Sequence, residues 1–170
     1  MPLHHDGLLT TRLMAESVYI ETTVVSYLTA KGSLDVNTRA HQHATQRWWR
    51  ARRRHYDLYV SPFVIQEAGA GDPTAARRRV RVVRRMPQVA VTDAVTRLAA
   101  LLINRGAVPQ AARVDAFHIA LAAVHGLEYL LTWNCKHIAN ATKRVHIEEC
   151  CRESGFEPPV ICTPEEMLEE

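Results

Sequence analysis

Three carboxylates and one amide stand at positions in this chain where an α/β fold most readily builds chemistry. Glu21 directly follows the apolar run SVYI (17–20). Glu67 falls in the second helical turn after the run YDLYV (56–60). Asp115 lies near the start of the helical segment AARVDAFHIALAAVH (111–125), and Asn134 follows EYLLTW (128–133), with Thr132 just before it. Gathered in one place, like charges raise each other's pKa and oppose folding unless a cation neutralises them. Hard cations such as Mg²⁺ or Mn²⁺ prefer oxygen ligands and keep several of their waters. An ion held in this way lowers the pKa of a bound water and stabilises charge on a phosphodiester, which gives hydrolysis. Each residue also has an ordinary reading. Glu67 and Asp115 can be solvated surface acids, Glu21 a neighbour of a helix N-cap favoured by the dipole, and Asn134 a turn residue.

The elements that must position these groups follow from the apolar pattern. Short β-branched or aromatic runs predict strands at 17–20, 56–60, 88–91 (QVAV), 128–132 and 159–162 (PVIC), alternating with segments of helical spacing. Asn37 is expected to cap a helix running through both tryptophans to about Arg54. Ser61 before Pro62 reads as a cap followed by a first helical proline, and Pro73 opens the next helix. Thr92 and Asp93 precede AVTRLAALLINR, which stops at Gly106, and the segment carrying Asp115 stops at Gly126. Strand and helix repeated in this order predict a parallel sheet covered on both faces. In such sheets ligands bind beyond the carboxyl ends of the strands, where the following helices begin, so all four polar residues fall toward one edge.

Composition narrows the class further. With 170 residues the chain is long enough for one domain with its own core. Hydrophobic content of 47% and charged content of 23% are ordinary for a globular protein, and no apolar run approaches the roughly 20 residues that span a bilayer. The first residues lack a signal-peptide pattern. Residues 1–16 are expected to be a flexible extension, with Met14 as an alternative start, and the domain to occupy 17–168. Cys135, Cys150, Cys151 and Cys162 form no C-x-x-C pair and read as reduced thiols in a cytoplasmic protein. Neither G-x-G-x-x-G nor G-x-x-x-x-G-K-[ST] follows a strand, which argues against the phosphate cradles of nucleotide-binding folds.

These segments resemble the PIN-domain family. YIETTVVSYL (19–28) is similar to its opening strand, acid and helix, SPFVIQEAGAGDP (61–73) to the segment with its second acid, and DAFHIALAAVHGLEYLLTWNCKHIANA (115–141) to its C-terminal half. PPVICTPEEML (158–168) resembles the last strand and C-terminal helix of a VapC-like subgroup. The resemblance implies a three-layer α/β sandwich with a five-stranded parallel sheet between helices. It also implies Mg²⁺- or Mn²⁺-dependent ribonuclease activity. The setting it implies is a type II toxin–antitoxin pair, with a small antitoxin and a homodimer. Carried over, Glu21, Glu67 and Asp115 become metal ligands, Asn134 a weaker ligand or a water positioner, and Thr132 a hydroxyl supporting them. Two positions depart from the family: Glu21 stands where most members have Asp, and Asn134 leaves the site three formal negative charges instead of four. A catalytically degenerate domain that binds RNA or a protein without cutting is the alternative reading.

Net charge is only +3, yet arginines crowd into RWWRARRR (47–54) and RRRVRVVRR (77–85). Such runs are often solvated helix faces, and here they also suit a polyanion or an acidic partner. Arg47, Arg50, Arg52, Arg53 and Arg54 are candidate RNA-phosphate contacts, and His137 a further one. Trp48 and Trp49 offer base-stacking faces or core packing. His118, three residues after Asp115, reads as a hydrogen-bonded structural histidine beside the site.

Overall fold

The computed structural model describes residues 15–168. The extension expected over 1–16 therefore lies outside the described residues except for its last two positions, and Glu16 already belongs to the first strand. Among the described residues the sheet has four parallel strands: β1 (Glu16–Ile20), β2 (Tyr56–Tyr59), β3 (Tyr129–Leu131) and β4 (Val160–Cys162). Their order is β2-β1-β3-β4, with Val18 opposite Leu58 on one side and Tyr129 on the other.

The fifth strand expected at 88–91 is reduced to a single bridge between Val60 and Gln88. Val60 N–H donates to the Pro87 carbonyl (3.0 Å) and Val89 N–H donates to Val60 (2.9 Å). Proline supplies no ladder donor, so Pro87 and Pro62 stop the pairing on either side of this bridge. Ser61 already caps the next helix, which leaves no further residues of β2 to pair with.

Among the described residues seven α-helices connect and flank the strands: α1 (Thr22–Thr29), α2 (Val36–Ala51), α3 (Pro62–Ala68), α4 (Pro73–Val83), α5 (Asp93–Asn104), α6 (Arg113–Val124) and α7 (Ala141–Glu153). Ser61, Asp72 and Thr92 cap α3, α4 and α5 through side-chain oxygens, as their sequence context predicts. The cap of α2 is Asp35 and not Asn37: Asp35 stands three residues before Thr38 and accepts from its N–H at 2.8 Å, whereas Asn37 already lies in the first turn. That helix also ends at Ala51, and Arg53–His55 tighten into a 3₁₀ turn to enter β2. The C-terminal helix is likewise only a 3₁₀ turn over Glu166–Leu168. Gly106 and Gly126, at φ 72° and 64°, let the chain leave α5 and α6 in the left-handed region.

Helix α6 runs through the interior, with every residue from Ala116 to Ala123 buried. A helix enclosed on all sides needs no polar face, which explains why its apolar residues show little periodicity. Trp48 and Tyr19 are also fully buried, and Trp48 stacks against Tyr56 at a centroid distance of 6.2 Å. The chain moves from β1 to β2 on one side and later to β3 on the other. The strand order therefore switches between β1 and β3, and there the carboxyl edge of the sheet opens a crevice.

Candidate metal centre

Glu21 sits at that switch. Its backbone N–H donates to Leu131 at the end of β3 (3.1 Å), and its side chain caps α1 by accepting from Thr23 N–H (3.1 Å). The Thr23 hydroxyl and the Thr132 hydroxyl (2.8 Å) donate to the same carboxylate oxygen, Oε2. Thr132 Oγ1 in turn accepts from Asn134 N–H (2.9 Å). All three donors to the Glu21 side chain meet Oε2, so Oε1 is the oxygen left for another partner. Glu21 is only 3% exposed, and burial pushes its carboxyl pKa up despite these bonds and the nearby His118. Glu21 is thus itself the N-cap of α1, where the sequence suggested a neighbour of the cap, and it faces the site as well.

Glu67 reaches the same place from α3. Its Oε2 accepts from the Thr22 hydroxyl (2.6 Å) and from His118 Nε2 (2.9 Å). Burial acts to raise its pKa, but the bond and charge of His118 and the bond from Thr22 outweigh it and hold the carboxyl below its ordinary value. An ionised carboxylate only accepts, so the His118 tautomer facing it carries its proton on Nε2. Its Nδ1 is hydrogen-bonded to the Tyr19 hydroxyl (2.7 Å), whose oxygen lies 2.7 Å from Ser61 Oγ. A chain of hydrogen bonds therefore runs Ser61, Tyr19, His118, Glu67 from the core to the site. Tyr19, Ser61 and His118 are each 0% exposed, which fixes the Glu67 head group from behind.

Asp115 opens α6 half-buried and hydrogen-bonded to the Asn134 side chain, with His118, His137 and Glu67 close enough to act on its charge. Burial raises its pKa. Asn134 Oδ1 also accepts from His137 N–H (3.1 Å), so Asn134 is a turn residue as well as a neighbour of the acids.

One ligand atom each from Glu21, Glu67 and His118 lies within 4.8 Å of the others, and Asp115 stands beside this group but outside it. His118 has both ring nitrogens engaged, so it serves to hold Glu67 and is not a free ligand. The basic groups acting on the three carboxyls are His118 and, for Asp115, His137. Two carboxylates pinned through one oxygen each, close together and backed by a third acid, fit a hard divalent cation.

The arginine run is not brought to this centre. Arg53 and Arg54 lie in the turn that leads into the amino end of β2, whereas Glu21 leaves the carboxyl end of β1. A five-residue strand separates these edges by roughly 16 Å. Arg47 and Arg50 are exposed on the last turns of α2, Arg52 is half-buried, and Arg53 covers the Trp49 ring at 4.8 Å. Of the two tryptophans, Trp48 is wholly in the core and Trp49 packs against it, so the stacking face expected of Trp48 is unavailable to a base. The three buried cysteines are free thiols, with Cys151 and Cys162 pushed up to about 12 by burial, and Cys135 is exposed.

Thr22, Thr23, Tyr19 and Ser61 were not singled out by the sequence pattern as site residues. The ETT triplet at 21–23 carries a local signal, because hydroxyls directly after a strand-ending acid can reach back to it. Tyr19 and Ser61 carry none. Arg79 is a further support without a sequence signal: its guanidinium binds the Ala68 (3.0 Å) and Ala70 carbonyls and so fixes the end of the helix that bears Glu67.

A parallel sheet flanked by helices, with acids gathered where the strand order switches, is a PIN-like α/β fold. Among solved structures the chain is similar to the Mycobacterium tuberculosis toxin VapC20, described as cleaving the sarcin–ricin loop. The match has a TM-score of 0.55, 17% identity, and coverage of 74% of this chain and 95% of the toxin. No protein-family model matches the sequence, and no curated protein is detectably similar to it. Among the described residues no helix is long and apolar enough to cross a membrane.

Proposed function

We propose that this protein is a divalent-metal-dependent endoribonuclease, acting as the toxin of a type II toxin–antitoxin pair. The observation that carries this reading is the meeting of Glu21 and Glu67, each pinned through Oε2, with His118 behind them in a group 4.8 Å across. Glu21, Glu67 and Asp115 would hold Mg²⁺ or Mn²⁺, with Asn134 orienting Asp115. Such an ion supplies an acidified water and neutralises charge on the phosphodiester. Thr23 and Thr132 keep Glu21 aimed at the centre, and Thr22 and His118 do the same for Glu67. By favouring the ionised form of Glu67, His118 also keeps that carboxylate ready for a cation at neutral pH. The likeness to VapC20, a toxin described as cleaving the sarcin–ricin loop, supports RNA as the substrate, and a small antitoxin partner, a cytoplasmic setting and a homodimer complete the reading. Arg47, Arg50, Arg52, Arg53, Arg54 and His137 complete the proposal as RNA-phosphate contacts, the arginines gripping RNA beyond the scissile segment.

The test is RNA cleavage with Mg²⁺ or Mn²⁺, comparing the wild type with Asp115→Asn. Cleavage that needs the metal and falls in the variant supports the reading; cleavage that survives EDTA or the substitution overturns it. One observation favours a second reading, a domain that binds RNA without cutting: Asp115 stands outside the tight group and is bonded to Asn134. That reading requires salt-sensitive RNA binding with no metal-dependent products.

A further inference from the structure

An open cleft of about 410 Å³ adjoins the acidic centre, with Glu67 in its wall. Helix α3 contributes Phe63, one helical turn before Glu67, and Gln66, directly before it, and α6 contributes Arg113 and Phe117, on either side of Asp115. Residues three and four apart share a helix face, so Phe63, Gln66 and Glu67 line one wall and Arg113 and Phe117 the other. The two phenylalanine rings lie 4.7 Å apart at 35°, the Phe63 ring meets His118 edge-on at 6.5 Å, and the Arg113 guanidinium covers Phe117 at 5.6 Å. Phe63 thus stands between the cleft and the buried histidine that pins Glu67. Its volume is in the range of small-molecule sites, and its lining is mainly apolar with an amide and a cation at the rim.

An RNA strand whose phosphate lies at the acids must put a flanking nucleoside somewhere within a few ångströms. Phe117 is buried and forms the floor, so the half-buried Phe63 ring beside Arg113 is the aromatic surface that suits a base, and the exposed amide of Gln66 suits its hydrogen-bonding edge. Arg113 adds positive charge where the other nearby groups are acidic, which suits the adjoining phosphate. We infer that the Phe63–Phe117 cleft is a nucleobase subsite that seats one unstacked base of single-stranded RNA next to the scissile phosphate. This rests on the nuclease reading of the acidic centre and adds to it the substrate form: an unpaired segment with one base turned out.

The experiment is binding of a short single-stranded oligoribonucleotide in EDTA, with 2-aminopurine placed at one position at a time, to wild type, Gln66→Ala and Phe63→Leu. Gln66 is exposed, so its variant retains the fold, and Phe63→Leu keeps most of the apolar volume. The expected result is a fluorescence change confined to one or two adjacent positions. Replacing that base with an abasic ribose is expected to weaken wild-type binding about five- to hundredfold, the range of base–aromatic stacking. In both variants the abasic penalty shrinks to threefold or less. A fluorescence change at no position, binding too weak to saturate, or an abasic penalty equal in all three proteins overturns the subsite. Cleavage in Mn²⁺ is scored separately. A position-specific base signal without cleavage sinks the nuclease reading and keeps the cleft; cleavage without the base signal does the reverse.

Discussion

Replacing Glu21 by glutamine isolates the charge at the centre with little change of shape. All three donors to the Glu21 side chain meet a single oxygen, so the amide carbonyl of glutamine can keep them while its NH₂ takes the place of Oε1. Two carboxylate charges within 4.8 Å of each other repel by about 3 kcal/mol or more at an effective dielectric constant of 20. The Glu67 side chain is 39% exposed and paired with His118, so solvent and counter-charge cut this to about 1–2 kcal/mol. Exchanging charge-assisted bonds for neutral ones returns part of that, leaving a net gain of about 1 kcal/mol in the metal-free protein. For a domain of this size that is roughly 2–4 °C in melting temperature. Metal acts in the opposite sense: Mn²⁺ at a hundred times its dissociation constant stabilises the wild type by about 2.7 kcal/mol. Thermal melts at pH 7 in EDTA and in Mn²⁺ are therefore expected to cross over, with Glu21→Gln the more stable without metal and the wild type with it. A variant that melts below the wild type in EDTA, or that gains as much from Mn²⁺, would refute the uncompensated-charge argument.

Four further outcomes are expected. Burial raises the carboxyls of Glu21 and Asp115, so the stability they confer is full below the ordinary carboxylate range and is lost as pH rises through their folded-state values. Glu67 has the opposite sign and loses its contribution as pH falls, so Mn²⁺ should raise the melting temperature more at pH 8 than at pH 5; an equal shift at both would count against the site. His118→Asn cuts the chain from Tyr19 to Glu67 and should lower Mn²⁺ affinity or cleavage ten- to hundredfold, read by metal titration with the fold checked by circular dichroism. Trp48→Ala should destabilise the domain by about 3–5 kcal/mol in urea titrations, because its ring is wholly in the core; a loss of RNA affinity with no loss of stability would restore it to the RNA surface. Replacing Arg47 and Arg50 with alanine should reduce the salt slope of binding to a long RNA by roughly 0.7–0.9 for each lost phosphate contact, and an unchanged slope would remove them from the interface.

The sequence made the framework legible where local chemistry is strong. Ser61-Pro62, Asp72-Pro73 and Thr92-Asp93 start helices because a capping oxygen next to a helix-compatible first turn leaves little choice. The strands at 17–20 and 128–132 read correctly because apolar runs end there in polar residues, and Glu21 and Thr132 follow from that ending. The run at 88–91 has the composition of a strand but no partner beyond Val60, and pairing is a property of the neighbour as much as of the run. The arginine run and the acids look close in sequence, yet the intervening strand carries them to opposite edges of the sheet. Tyr19 and Ser61 join the site only through the parallel pairing of β1 with β2 and the packing of α6, which no local pattern encodes.

The central claim is a divalent cation held by Glu21 and Glu67, and anomalous scattering from a crystal soaked in Mn²⁺ tests it most directly. The expected map shows one ion bound by both carboxylates through Oε1, with oxygen distances of roughly 2.0–2.2 Å, and His118 still bonded to Tyr19 and Glu67. A saturating soak that leaves no ion between the two glutamates, or an ion that draws His118 away from Glu67 to become a ligand itself, would contradict it.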